Sequence, residues 1–115
     1  RGELKKMVKW LRKGSVDAQR PSDGNTLLHS AVLYRQTDFV RELLIRGAKI
    51  DLPNSNGSTA LMVASQMGAK LEGRLLLEYS ADVNRQTAHG VTALITSAAH
   101  KQPELLSLLL EASAK

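Results

Sequence analysis

Asp23-Gly24-Asn25-Thr26-Leu27-Leu28-His29-Ser30-Ala31 decides the fold, because the same phrase returns twice at a fixed interval. Its second copy is Asn56-Gly57-Ser58-Thr59-Ala60-Leu61-Met62-Val63-Ala64 and its third His89-Gly90-Val91-Thr92-Ala93-Leu94-Ile95-Thr96-Ser97, each glycine 33 residues after the one before. Downstream of each copy lies a Leu-rich run: Val40-Arg41-Glu42-Leu43-Leu44, then Arg74-Leu75-Leu76-Leu77, then Ser107-Leu108-Leu109-Leu110. Closing phrases follow in Gly47-Ala48-Lys49-Ile50-Asp51 and Ser80-Ala81-Asp82-Val83-Asn84. A constant period of this length is the mark of an array in which small units stack side by side.

Each part of the unit has a local cause. Glycine after Asp, Asn or His supplies the positive φ of a tight hairpin turn. Thr26, Thr59 and Thr92 stand where a hydroxyl caps the first amides of a helix. A first helix of about two turns is expected next, with Ala31, Ala64 and Ser97 small enough for neighbours to approach closely. Pro103 opens a second helix, where its missing N–H does no harm. Two such short helices bury too little apolar surface to stand alone, so the units must stack.

In these phrases the chain resembles the ankyrin-repeat family, whose unit reads approximately D-G-x-T-P-L-H-x-A-A, a short turn, a Leu-rich helix and G-A-D-V-N. The resemblance implies an all-α solenoid of helix-turn-helix units joined by β-hairpin-like loops. Residues 1–115 then form one array: a partial repeat over 1–20, repeats over 21–53 and 54–86, and a C-terminally truncated repeat over 87–115. Leu4-Lys5-Lys6-Met7-Val8-Lys9-Trp10-Leu11 matches only a second helix, and the last copy has no closing phrase, so a longer parent chain is expected. Departures from the pattern carry consequences. The proline of T-P-L-H is replaced by Leu27, Ala60 and Ala93. The histidine survives only as His29, with Met62 and Ile95 in its register, which exchanges a polar link between repeats for apolar packing. Glu72-Gly73 stand where the family carries Ile-Val, so Glu72 forfeits an apolar contact and Gly73 costs about 1 kcal/mol relative to Ala. The second helix of the middle repeat is therefore predicted to lose hydrogen-exchange protection first.

Composition agrees with closely packed helices. The hydrophobic fraction is 43% but aromatics make up only 3%, so the core must be aliphatic. There is no cysteine, which rules out a disulfide framework and a thiolate zinc site. No apolar run reaches the roughly 18 residues needed to cross a bilayer, and an intracellular, cytoplasmic or nuclear, location is expected. The net charge of +5 is concentrated in residues 1–20, which hold seven basic side chains and two acids. There Leu4, Met7, Val8 and Leu11 form one helical stripe among Lys5, Lys6, Lys9, Arg12 and Lys13. The stripe reads as packing on the next repeat, with the lysines solvating the end; docking on anionic membrane or nucleic acid is the alternative.

Catalytic and cofactor chemistry find no footing. His29, His89 and His100 lie at a helix start, a hairpin tip and a helix end, and none has an acid and a hydroxyl at triad spacing. No metal-ligand spacing and no phosphate-loop glycine pattern occurs, so no enzyme activity, cofactor, metal or small-molecule substrate is expected. Arg12-Lys13-Gly14-Ser15 matches a basic kinase target only superficially.

What the resemblance implies instead is protein or peptide recognition through a concave groove of hairpin tips and first helices. At the tips the groove offers Asp23 and Asn25, Asn56 and Ser58, then His89 and Val91; on the helices it offers Leu33 and Tyr34, Gln66 and Met67, then His100. Tyr34 and Met67 are the strongest candidates, being large and apolar at positions expected to face solvent. A docking or scaffold arm of a larger enzyme, such as a kinase or ubiquitin ligase, would present the same surface.

Overall fold

A computed structural model describes residues 16–114. The basic amphipathic stripe, Ser15 and the electrostatic alternative built on Lys5, Lys6 and Lys9 lie outside the described residues.

Among the described residues six helices follow one another in three layers: α1 (Leu27–Leu33) with α2 (Thr37–Ile45), α3 (Ala60–Met67) with α4 (Lys70–Glu78), and α5 (Ala93–Ala99) with α6 (Pro103–Ala114). First helices start where the threonines predict. Thr26, Thr59 and Thr92 are N-caps whose hydroxyls accept from the N–H of His29, Met62 and Ile95 at 3.3, 3.3 and 3.2 Å. The helix ends also keep the period: Arg35, Gly68 and Lys101 all adopt left-handed backbone, with φ of 57°, 70° and 55°, and so turn the chain into the second helix. Pro103 is the first residue of α6, as its missing donor requires.

First helices pack on first helices more extensively than second helices pack on second helices. The array therefore curves toward α1, α3 and α5. Ala31, Ala64 and Ser97 are wholly buried where the first helices meet, and Leu28, Leu43, Leu61, Leu76, Leu105 and Leu109 fill the space behind them. Each such leucine contributes about 2 kcal/mol through burial, which is how a core with so few aromatics holds together. The buried hydroxyls of Ser65 and Ser97 bond back to the carbonyls of Leu61 and Leu94, at 2.8 and 2.9 Å, and leave no donor stranded.

The hairpin turns line up along one edge. Gly24, Gly57 and Gly90 have φ of 73°, 79° and 79°, the conformation that the sequence demanded of them. Ser55 N–H donates to the Asp23 carbonyl at 2.9 Å, and Asn54 Nδ2 donates to Asn25 Oδ1 at 2.9 Å, so the first two tips are tied together. Lower down, the carboxylates of Asp17 and Asp51 accept from the backbone N–H of Lys49 and Asp82, at 2.8 and 3.0 Å. That bond recurs one layer later, so the stacking is specified by polar contacts as well as by shape.

Glu72 behaves differently from its sequence reading. It is wholly buried, yet its carboxylate is satisfied: Arg35 Nε donates to Oε1 at 3.0 Å and Thr37 Oγ1 donates to Oε2 at 2.5 Å. An apolar contact is replaced by a clasp between the first and second layers. Gly73 has a packing reason too, since a Cβ there would lie 2.9 Å from Leu105 Cδ1 of the third layer. Only the helix-propensity penalty of Gly73 remains as a ground for weakness in α4.

Candidate functional site

The residues singled out in the sequence lie at the ends of the first helices and at the hairpin tips. Tyr34, Met67 and His100 occupy one register of the 33-residue period, where the first helices end: Tyr34 and His100 are the C-caps of α1 and α5, and Met67 is the last residue of α3. Tyr34 is 42% exposed and Met67 39%, although each belongs to a helix whose other apolar residues are largely buried. Gln66 and His100 are exposed, whereas Leu33 is half-buried and shared between core and surface. The His100 ring donates from Nδ1 to the Thr96 carbonyl at 3.0 Å, leaving Nε2 free of any described partner.

The tips divide into residues that build the edge and residues that it presents. Asp23 is held by Arg20, at 2.6 Å from Nη2 and 3.1 Å from Nε, and by the N–H of Asn25 at 3.0 Å. The Arg20 guanidinium first, and then the Asn25 amide, keep the Asp23 carboxyl below its ordinary pKa. Asn25 spends its carbonyl on Asn54. The Ser58 carbonyl accepts from His29 Nε2 at 2.8 Å, and the Ser58 N–H donates to Asn54 Oδ1 at 3.0 Å. Asn56 and His89, by contrast, are exposed at the turn apices, with Val91 half-buried behind His89. Tyr34, Met67, Gln66, His100, Asn56 and His89 are thus the accessible groups among these residues. The structure employs Asp23, Asn25 and Ser58 largely in holding the edge together.

His29 is the polar link between repeats that the sequence singled out. Its Nδ1 accepts from the Thr26 N–H at 3.2 Å while Nε2–H reaches the Ser58 carbonyl of the next layer, a pairing that fixes one neutral tautomer. Burial pushes its pKa below the ordinary value, against the opposing pull of the Ser58 carbonyl and the Asp23 charge. Met62, in the same register, is buried among apolar groups, and Ile95 is exposed. The Arg35, Thr37 and Glu72 clasp escaped the sequence reading because it occurs in one layer only, and periodicity reports what recurs. Its signal was Glu72 itself, an acid in an apolar register with arginine in the preceding turn.

Among the described residues no group of three or more His, Cys, Asp or Glu side chains could hold a metal, and no helix is long and apolar enough to cross a membrane.

Comparison with known proteins agrees with this architecture. A family model described as ankyrin repeats in three copies matches residues 42–115, and a single ankyrin-repeat model matches residues 23–55. An ankyrin repeat-containing protein of Treponema pallidum is 34% identical over 103 residues, which cover 89% of this chain and 35% of that protein. Transient receptor potential cation channel subfamily A member 1 of Homo sapiens is 36% identical over 99% of this chain but 10% of its own length. Inactive serine/threonine-protein kinase TEX14 of Bos taurus is 32% identical over 89% of this chain and 6% of its own. The chain spans about a third or less of the length of these relatives, which are larger proteins. Ankyrin repeats generally mediate protein–protein interaction and are generally non-catalytic. Three layers in one 33-residue register, with hairpin tips aligned and threonine-capped first helices stacked, place this chain in the ankyrin-repeat family.

Proposed function

We propose that this array recognises a protein or peptide partner along its concave side, with Tyr34 and Met67 at the centre of the contact. The observation that carries the reading is their shared register: two large apolar side chains stand exposed one layer apart at the ends of α1 and α3, whose other apolar residues are buried or half-buried. Interface anchors are typically aromatic or long apolar groups on rigid elements, because little ordering entropy is lost when they are covered. Gln66, Asn56, His89 and His100 supply polar groups around them, and Leu33 broadens the apolar floor. Asp23, Asn25 and Ser58 hold the tips in place from below. Nothing in this reading requires a cofactor or a small-molecule substrate.

The relatives named above are larger proteins, which favours the array acting as a docking or scaffold arm of a longer polypeptide. A photo-crosslinking amino acid at position 34 or 67 of the parent protein should give adducts in cells. The same residue at Ile45 or Leu71, exposed on the second helices, should give none. Adducts from positions 45 and 71 alone would move the site to the convex side.

A further inference from the structure

Positive charge is distributed unevenly along the groove. Arg35, Gly68 and Lys101 follow Tyr34, Met67 and His100 in the three layers and share the left-handed conformation, so their side-chain positions repeat with the array. Arg35 is committed to Glu72. Gly68 has no side chain, and Gln102 lies across it with Nε2 donating to the Gln66 carbonyl at 3.3 Å. Lys70, two residues beyond Gly68, is paired with Glu104 at 3.0 Å. Lys101 is exposed and forms no ion pair with any described residue, and the free Nε2 of His100 stands beside it. Of the acids of the second helices, Glu72 and Glu104 are taken up by Arg35 and Lys70, and Asp38, Glu42, Glu78 and Glu111 belong to the outer row. The groove therefore runs from an apolar end at Tyr34 to a cationic end at Lys101.

Resting on the groove reading above, we propose that the partner is an extended peptide segment carrying two apolar side chains followed by an acid. Helices of adjacent layers pack about 9 Å apart, and an extended chain in the polyproline II conformation advances about 3.1 Å per residue with three residues per turn, so every third side chain returns to the same face about one layer on. The ligand pattern is apolar-x-x-apolar-x-x-acid: the first apolar group against Tyr34, the second against Met67, and the Asp or Glu against Lys101 and His100. A charge at one end of an apolar row fixes register and direction, which the two apolar pockets alone would leave ambiguous.

The test is a selection from an unbiased library of random peptides of about 12 residues, displayed on phage, against the full chain. An advance of about 3.1 Å per residue lets this length span all three layers. Peptides that lose binding with Tyr34→Ala/Met67→Ala should be enriched in the pattern above. They should weaken about tenfold with Lys101→Glu, less with Lys101→Ala, and not at all with Lys49→Glu, a cation off the groove. Peptides that need Tyr34 and Met67 but are indifferent to Lys101→Glu would overturn the acidic partner and leave the groove standing. Peptides indifferent to Tyr34 and Met67, or a selection yielding no binder, would overturn both.

Discussion

The interface between the first and second layers and the interface between the second and third have the same geometry but are held by different forces. At the first, His29 reaches the Ser58 carbonyl, Arg35 and Thr37 grip Glu72, and Asn54 bonds Asn25. At the second, Met62 replaces the histidine in a buried apolar site, Leu105 fits against Gly73, and the polar contacts lie outside, as in the Lys70 and Glu104 pair. One backbone period thus tolerates two kinds of adhesion. The polar interface specifies which layer sits on which, and the apolar one depends on shape.

The largest expected effect breaks the apolar interface. Leu105→Ala removes a buried side chain whose Cδ1 occupies the space left by the absent Cβ of Gly73, and should destabilise the chain by about 3 kcal/mol in urea unfolding. A loss under about 1 kcal/mol would mean that the third layer is not gripped there. The clasp comes next, and the sign of its response is diagnostic. Arg35→Ala should cost about 2 kcal/mol by leaving the buried carboxylate one partner short. Glu72→Leu combined with Arg35→Ala and Thr37→Val should return to within about 1 kcal/mol of the parent, because an apolar replacement of a whole buried polar cluster is often neutral or stabilising.

Acidification sharpens the contrast, since His29 belongs to the first interface and Met62 holds its register in the second. The pKa of His29 is lower in the folded chain than its ordinary 6.5, so the unfolded chain binds more protons as pH falls. Its contribution is complete above pH 6.5 and declines as the pH drops below that value toward the folded pKa. Unfolding free energy measured through this window should fall in the parent and fall less in His29→Met, which installs the residue of the second interface. The smallest effect belongs to Lys70→Ala, an exposed pair worth under about 0.5 kcal/mol.

The fold was legible because periodicity amplifies weak local signals. One Gly-x-Thr turn says little, but three at one spacing fix the hairpins, caps and first helices together. Residues that break the period were read less well. Glu72 registered as a missing apolar contact, since the partners that satisfy it, Arg35 and Thr37, lie in a neighbouring layer and only folding brings them near. Gly73 registered as a helix weakener because the leucine that needs its space lies in the third layer. The tips show the same limit: Asp23 and Asn25 have the polarity of contact residues, and their bonds to Arg20 and Asn54 appear only in three dimensions. The exposure of Tyr34 and Met67 was legible because the repeat register puts both where a first helix ends.

The most direct measurement pits the two sides of the array against each other with one binder. Tyr34→Ala/Met67→Ala should weaken it by about tenfold or more while Tm stays within a few degrees, and Ile45→Ala/Leu71→Ala should leave affinity within about twofold. Full affinity in the first variant together with loss in the second would contradict a concave site built on Tyr34 and Met67.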